Sequence, residues 1–178
     1  MSQTVLITGA SNGIGKACAR VFARKGYDLV LVARHREKLE AVKAELSEYD
    51  VQIKVIAMDL TGEDAAVDLY NNLVLDDISI DILVNNAGFG DHGAFHDSSW
   101  EKQKKMVLLN IVALMQMTYV FGQSMKRRKK GRILNVASIA GLCAGPYMST
   151  YYATKAFVLS FSESIDYELK DYNVEVSC

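Results

Sequence analysis

The chain holds 178 residues, half of them hydrophobic and 23% charged, with 20 Lys and Arg against 21 Asp and Glu. That length suits one domain with a sizeable core better than two, and so even a charge balance gives no reason to expect nucleic acid or a membrane as partner. No apolar run nears the roughly 18 residues of a spanning helix, "MSQTVLITGA" lacks a signal peptide's layout, and Cys18, Cys143 and Cys178 show no metal or disulfide spacing, so a cytoplasmic protein with buried free thiols is expected.

From the N-terminus, "TVLITG" (4–9) is short and β-branched and reads as a strand, and Ile14 to Lys25 then carries apolar residues at helical spacing. The alternation continues with strand "DLVLVA" (28–33), helix Arg36 to Glu48, strand "VQIKVIAMDL" (51–60), helix Glu63 to Leu75 and strand "DILVNN" (81–86). Ser99 to Lys129 is read as two helices, followed by strand "GRILNVAS" (131–138), helix Tyr151 to Tyr172 and strand "NVEVSC" (173–178). Six strands joined by helical crossovers predict an α/β fold, a doubly wound parallel sheet in three layers with helices on both faces, and one domain over residues 1–178. Runs such as "DLVLVA" fit it, because a strand covered on both sides leaves no face for water.

Two polar stretches have plain readings. The basic run Lys126 to Lys130 complements a helix C-terminus, with Gly131 placed to end the helix; a polyanion patch is the lesser alternative. His92 and His96, four apart in a glycine-containing loop without a third ligand, read as surface or substrate-loop residues rather than a metal site.

The chemistry starts at "TGASNGIG" (8–15). Gly9, Gly13 and Gly15 permit a tight turn from strand to helix and a close approach of backbone to ligand, so that a pyrophosphate can sit on the helix N-terminus. Gly9, Ser11, Asn12, Gly13, Ile14 and Gly15 are therefore candidate cofactor contacts. The spacing is neither G-x-G-x-x-G nor a P-loop, and Lys16 is out of frame for gripping a phosphate. A ligand-free glycine turn is the competing reading, which the position after the first strand of a βαβ unit weakens.

At the end of the second strand an acid would bind the ribose 2′-hydroxyl of NAD. Here Ala33 stands in that place and Arg34, His35 and Arg36 follow. A guanidinium pairs with phosphate, so Arg34 favours NADP over NAD.

Further motifs accompany the glycine turn: "NNAG" (85–88), Asn110 in "LLNIVA", Ser138 in "NVASIAG", and "YYATK" (151–155). In order and spacing, from end to end of the chain, the set resembles the short-chain dehydrogenase/reductase family. The resemblance implies a Rossmann-like dinucleotide-binding and catalytic domain with Tyr151 as acid/base, Lys155 holding the nicotinamide ribose and lowering the tyrosine pKa, Ser138 binding the reacting oxygen and Asn110 anchoring a water. It also implies that Asp59 and Leu60 lie at the adenine, that Asn86, Ala87 and Gly88 wall the adenosine ribose, and that copies associate through the long helices as a homodimer or homotetramer.

The chemistry is consistent with that assignment. A carbonyl that gains a hydride must also gain a proton, and a phenol of pKa about 10 exchanges one poorly near neutrality unless a nearby cation favours the phenolate. Tyr151 is four residues from Lys155 and Tyr152 three, so helical geometry prefers the first only slightly; the family's Tyr-x3-Lys pattern decides it. "VASIAG" is not the G-x-S-x-G of a serine nucleophile.

Family members continue past this point into a Pro-Gly turn, a segment covering the substrate and a seventh strand, so a chain lacking its C-terminal substrate-covering part is expected. The function expected is an NADP-dependent oxidoreductase interconverting a small-molecule carbonyl and a secondary alcohol. The alternative is a dinucleotide-binding protein without turnover.

Overall fold

In the first strand, β1 (Thr4–Thr8), Val5 to Thr8 are all buried, as an apolar strand with neighbours on both edges and helices on both faces must be. The computed structural model, which describes residues 2–178, pairs β1 in parallel with β2 (Asp28–Ala33) on one side and β4 (Ile82–Asn85) on the other. The strand β3 (Ile53–Ala57) extends the sheet beyond β2, and β5 (Gly131–Asn135) and β6 (Val174–Ser177) extend it beyond β4. The order β3-β2-β1-β4-β5-β6 reverses between β1 and β4, which opens a crevice at the carboxyl ends of those strands.

On one face, α1 (Gly13–Arg24) and α2 (Arg36–Glu45) bring Ala19, Ala23, Leu39 and Val42 against Val5, Ile7, Leu29 and Leu31. On the other, α3 (Ala65–Leu75) and α5 (Leu114–Arg128) bring Leu69, Leu73, Met117 and Phe121 against Leu6, Val30, Val32 and Leu83. The last helix, α6 (Ser149–Leu169), packs Ile165 and Leu169 on this second cluster. The three-layered, doubly wound sheet expected from the sequence is the fold.

The cysteines are not buried as expected: Cys18 is half-buried, and Cys143 and Cys178, on a loop and at the last strand's end, are exposed. Three expectations about the helices need correction as well. Ser99 to Lys129 is not two helices: α4 (Trp100–Val107) runs through a π turn, Leu108–Ala113, into α5. No proline breaks the stretch, and the extra residue of a π turn re-aims the helix face at Asn110 instead. The same rod, Trp100–Arg128, is long and apolar enough by length and composition to cross a membrane, with a mean hydropathy of 1.4 over 18 residues. Counting unbroken apolar runs missed it because Asn110, Gln116 and Thr118 interrupt the run without lowering its average far. Burial of one face accounts for the composition, since Met106, Ala113, Met117 and Phe121 all enter the core.

The third correction concerns the end of α5. Lys129, at φ 52°, takes the left-handed helix-ending position in place of Gly131, which opens β5 as expected and where a Cβ would lie 2.4 Å from Met125 Cγ. The basic run is consumed locally: Arg128 donates to the Ile80 carbonyl at 2.5 Å, and Arg128 and Lys130 each lie 3.7 Å from Asp81.

Candidate active site

Between β1 and α1 the chain turns at Gly9 (φ 65°), and Gly13 (φ 52°) opens the helix in the same left-handed region, which residues with a Cβ seldom enter. Gly15 is required by proximity: a Cβ there would lie 2.4 Å from the Gly9 carbonyl oxygen. Thr8 and Asn86 support the turn from beneath. The Thr8 hydroxyl accepts from the amides of Asn86 (2.9 Å) and Ala87 (3.0 Å), and Asn86 Nδ2 donates to the carbonyls of Thr8 (2.9 Å) and Gly9 (3.2 Å). The first-turn N–H groups of α1 have no intrahelical acceptors, and the Asn12 side chain makes no capping bond to them, so they form a seat for a phosphate. Lys16 turns away to Glu45, 2.6 Å distant.

Beyond β2, Arg34 is exposed and, among the described residues, enters no salt bridge. Its charge reaches Asp59 after β3. Partial burial works against ionisation of Asp59, but hydrogen bonds from the amide (3.0 Å) and hydroxyl (2.9 Å) of Thr61, with the charges of Arg34 and Lys105, hold the carboxyl below its ordinary pKa. The Leu60 side chain is buried in the core, so its main chain is the part left to meet a cofactor.

A cleft of about 380 Å³ follows the reversal point of the sheet, lined by the glycine turn, Asn86 to Gly90, Val136, Ala137, Tyr151 and Lys155. Lys155 is 7% exposed, donates to the Val136 carbonyl at 2.7 Å, and holds its ammonium 5.9 Å from the centre of the Tyr151 ring. Burial lowers its pKa below the ordinary lysine value. The two tyrosines separate here. Tyr151 lies against Gly90, where a Cβ would be 3.1 Å from its ring, whereas Tyr152 packs on Gly145, where a Cβ would be 2.4 Å from its ring.

Ser138 leads into a 3-10 helix, Ile139–Leu142, and caps it by accepting from the Ala140 amide at 3.1 Å, which leaves its hydroxyl proton to donate. That helix packs on the turn of α6 that bears Tyr151 and Lys155, since a Cβ on Gly141 would lie 2.7 Å from the Lys155 carbonyl oxygen. Asn110 is 2% exposed. Its Oδ1 accepts from the Phe89 amide (3.1 Å), and its Nδ2 donates to the Phe89 carbonyl (2.9 Å) and to Thr154 Oγ1 (3.1 Å). The side-chain amide of Asn110 is thus committed to protein, with one lone pair of Oδ1 left over.

The sequence reading passed over Thr8 and Thr154, whose hydroxyls join elements far apart in the chain. The only sequence signal for either is adjacency, Thr8 to Gly9 and Thr154 to Lys155. It also passed over a second buried set in which Asn85 donates to Thr118 (3.1 Å) and Asn135 (2.9 Å), and Asn135 to Ser162 (3.0 Å). His92, exposed as expected, stacks on Tyr147 with ring centres 6.1 Å apart. The Gly93 amide donates to the Tyr147 carbonyl at 2.8 Å, so the loop after β4 and the loop before α6 are joined at the rim of the cleft.

A sequence profile of the family described as short chain dehydrogenase matches residues 3–178. The chain is 36% identical to the very-long-chain 3-oxoacyl-CoA reductase of Phaeosphaeria nodorum over 97% of its own length, and spans only 52% of that relative. Among solved structures it is similar to a short-chain dehydrogenase from Sphingobium yanoikuyae in complex with NADPH, with 38% identity and a TM-score of 0.92 over 98% of this chain and 69% of that one. It is similar as well to the bulky-bulky ketone specific alcohol dehydrogenase from Comamonas testosteroni, with 37% identity and a TM-score of 0.92 over 98% of this chain and 71% of that one. Other structures of the same fold hold NAD or NADH.

Proposed function

The chain belongs to the short-chain dehydrogenase family, and on that premise we propose that it interconverts a carbonyl and a secondary alcohol with NADP(H). The observation that carries the reading is that Tyr151 and the buried Lys155 line the same cleft as the glycine turn. The bound dinucleotide supplies or receives the hydride. The amides at the start of α1 seat its pyrophosphate, Asn86 to Gly88 border its adenosine ribose, and Lys155 holds the nicotinamide ribose. Ser138 donates a hydrogen bond to the reacting oxygen, and the Tyr151 hydroxyl gives that oxygen its proton on reduction and takes it back on oxidation.

NADP(H) is favoured by Arg34, exposed and free to meet a 2′-phosphate, and by the NADPH complex of a 38% identical relative. The substrate we infer is a ketone with a large apolar body. No charged residue occurs from Val136 to Thr154, and Ile139, Leu142 and Tyr147 are 86%, 76% and 62% exposed on the segment between Ser138 and Tyr151. Relatives are named for a very-long-chain 3-oxoacyl thioester and for bulky ketones. Association of two or four copies belongs to the same reading, supported by the apolar Val112, Met115 and Tyr119 exposed along the long helix.

The test is NADPH binding and turnover across ketones of increasing apolar size. Tyr151→Phe should lose about 10²- to 10⁴-fold in rate, as removal of a general acid does, with NADPH affinity unchanged. Tight NADPH binding with no turnover of any ketone would identify a dinucleotide-binding protein instead.

A further inference from the structure

Thr154 stands where the two catalytic elements meet, and it is 1% exposed. Its hydroxyl donates to the Tyr151 main-chain carbonyl at 2.7 Å and accepts from Asn110 Nδ2 at 3.1 Å. A hydroxyl has a single proton to give. With that proton on the Tyr151 carbonyl, Thr154 turns only lone pairs toward Asn110, so Asn110 must present its NH₂ group there.

The other hydrogen of that NH₂ goes to the Phe89 carbonyl, while the Asn110 oxygen receives the Phe89 amide. One chain of hydrogen bonds therefore runs from the α6 turn bearing Tyr151 and Lys155, through the π turn at Asn110, to the loop after β4. That loop forms the opposite wall of the cleft. A Cβ on Gly88 would lie 3.8 Å from Lys155 Nζ, and one on Gly90 3.1 Å from the Tyr151 ring.

We propose that Thr154 is a positioning residue: by locking the Asn110 amide it sets the spacing between the catalytic turn of α6 and the Gly88-to-Gly90 wall against which cofactor and substrate are held. The proposal rests on the reading of the cleft as a carbonyl-reducing site. Thr154→Val keeps the shape of the side chain, removes both bonds, and leaves an Asn110 N–H buried without a partner. Thr154→Ser keeps the hydroxyl.

The experiment is steady-state reduction of acetophenone and its longer-chain aryl ketone homologues by the whole protein with NADPH. Thr154→Val should lower kcat by about tenfold or more, the scale of a small misplacement at a reacting centre, with KM and NADPH affinity unchanged. Thr154→Ser should restore kcat to within about threefold. The positioning role is overturned if Thr154→Val matches the unaltered protein, if Thr154→Ser is as impaired as Thr154→Val, or if the loss falls on KM and NADPH affinity. Should Thr154→Val fail to fold, as thermal melting will show, Thr154→Ala is read by the same criteria. No reduction by the unaltered protein overturns the site reading and Thr154's role together, whereas turnover that Thr154→Val fully retains overturns the role alone.

Discussion

At its proposed phosphate end the cleft is made of backbone, with Gly9, Gly13 and Gly15 bringing the start of α1 up to the crevice and Thr8 and Asn86 tying the turn down from behind. At its other, proposed catalytic end, Lys155 lines it with Asn110 and Thr154 buried behind, each with hydrogen-bond partners inside the protein. The two constructions fail in opposite ways. A backbone seat is damaged by an added atom, which at Gly15 would strike the Gly9 carbonyl oxygen. A buried polar chain is damaged by a removed one, because each lost partner leaves another group unpaired and dry.

The largest effect is expected at Gly15. The smallest addition, Gly15→Ala, places a methyl 2.4 Å from the Gly9 carbonyl oxygen and 2.5 Å from Asn86 Nδ2, so the turn itself must shift. Overpacking of this kind costs about 1–3 kcal/mol of stability, and NADPH affinity, read by fluorescence titration, should fall by more than about tenfold. Unchanged affinity would show that the phosphate seat does not depend on this turn. A smaller effect is expected from Arg34, the one side chain at this end given a selective role. Arg34→Ala should weaken NADPH by about tenfold, the loss of one charge-assisted contact at an exposed position, and leave NADH within about twofold. Equal weakening of both would remove the phosphate contact from Arg34.

The two ends were also unequally legible in the sequence. The glycine turn shows in one dimension, because strand, glycines and helix are consecutive, and the alternation of apolar runs with helical segments was enough to predict the sheet. Tyr151 and Lys155 show too, since one helical turn brings i and i+4 together. What could not be read is whatever joins distant segments. Thr8 meets Asn86 and Asn110 meets Thr154 only once the sheet order is fixed, and a π turn has no residue signature of its own. Gly131 is the instructive misreading. A glycine after a basic run looks like a helix stop; Gly131 opens its strand as expected and yields its space to Met125, but the left-handed turn that ends the helix falls to Lys129.

The smallest effect expected lies in stability, at the catalytic end. Burial of Lys155 lowers its pKa, so the unfolded chain binds that proton more tightly than the folded one. Between the lowered value and the ordinary lysine pKa of about 10.4, the unfolded state carries more protons, and stability must rise with pH across that window. Below the window the cost of the buried ammonium is present in full. Lys155→Met removes the titrating group while keeping most of its apolar stem. The stability of the variant relative to the unaltered protein should therefore be highest at neutral pH and fall as pH climbs toward the lysine range, as urea unfolding without cofactor can follow. The bond from Nζ to the Val136 carbonyl, at 2.7 Å, is lost in the variant at every pH and so lowers the whole curve without changing its slope. A gap independent of pH would mean that the lysine is not held at a cost. A gap that narrows would show that the fold retains an unfavourable charge at the place where Lys155 is proposed to hold the nicotinamide ribose.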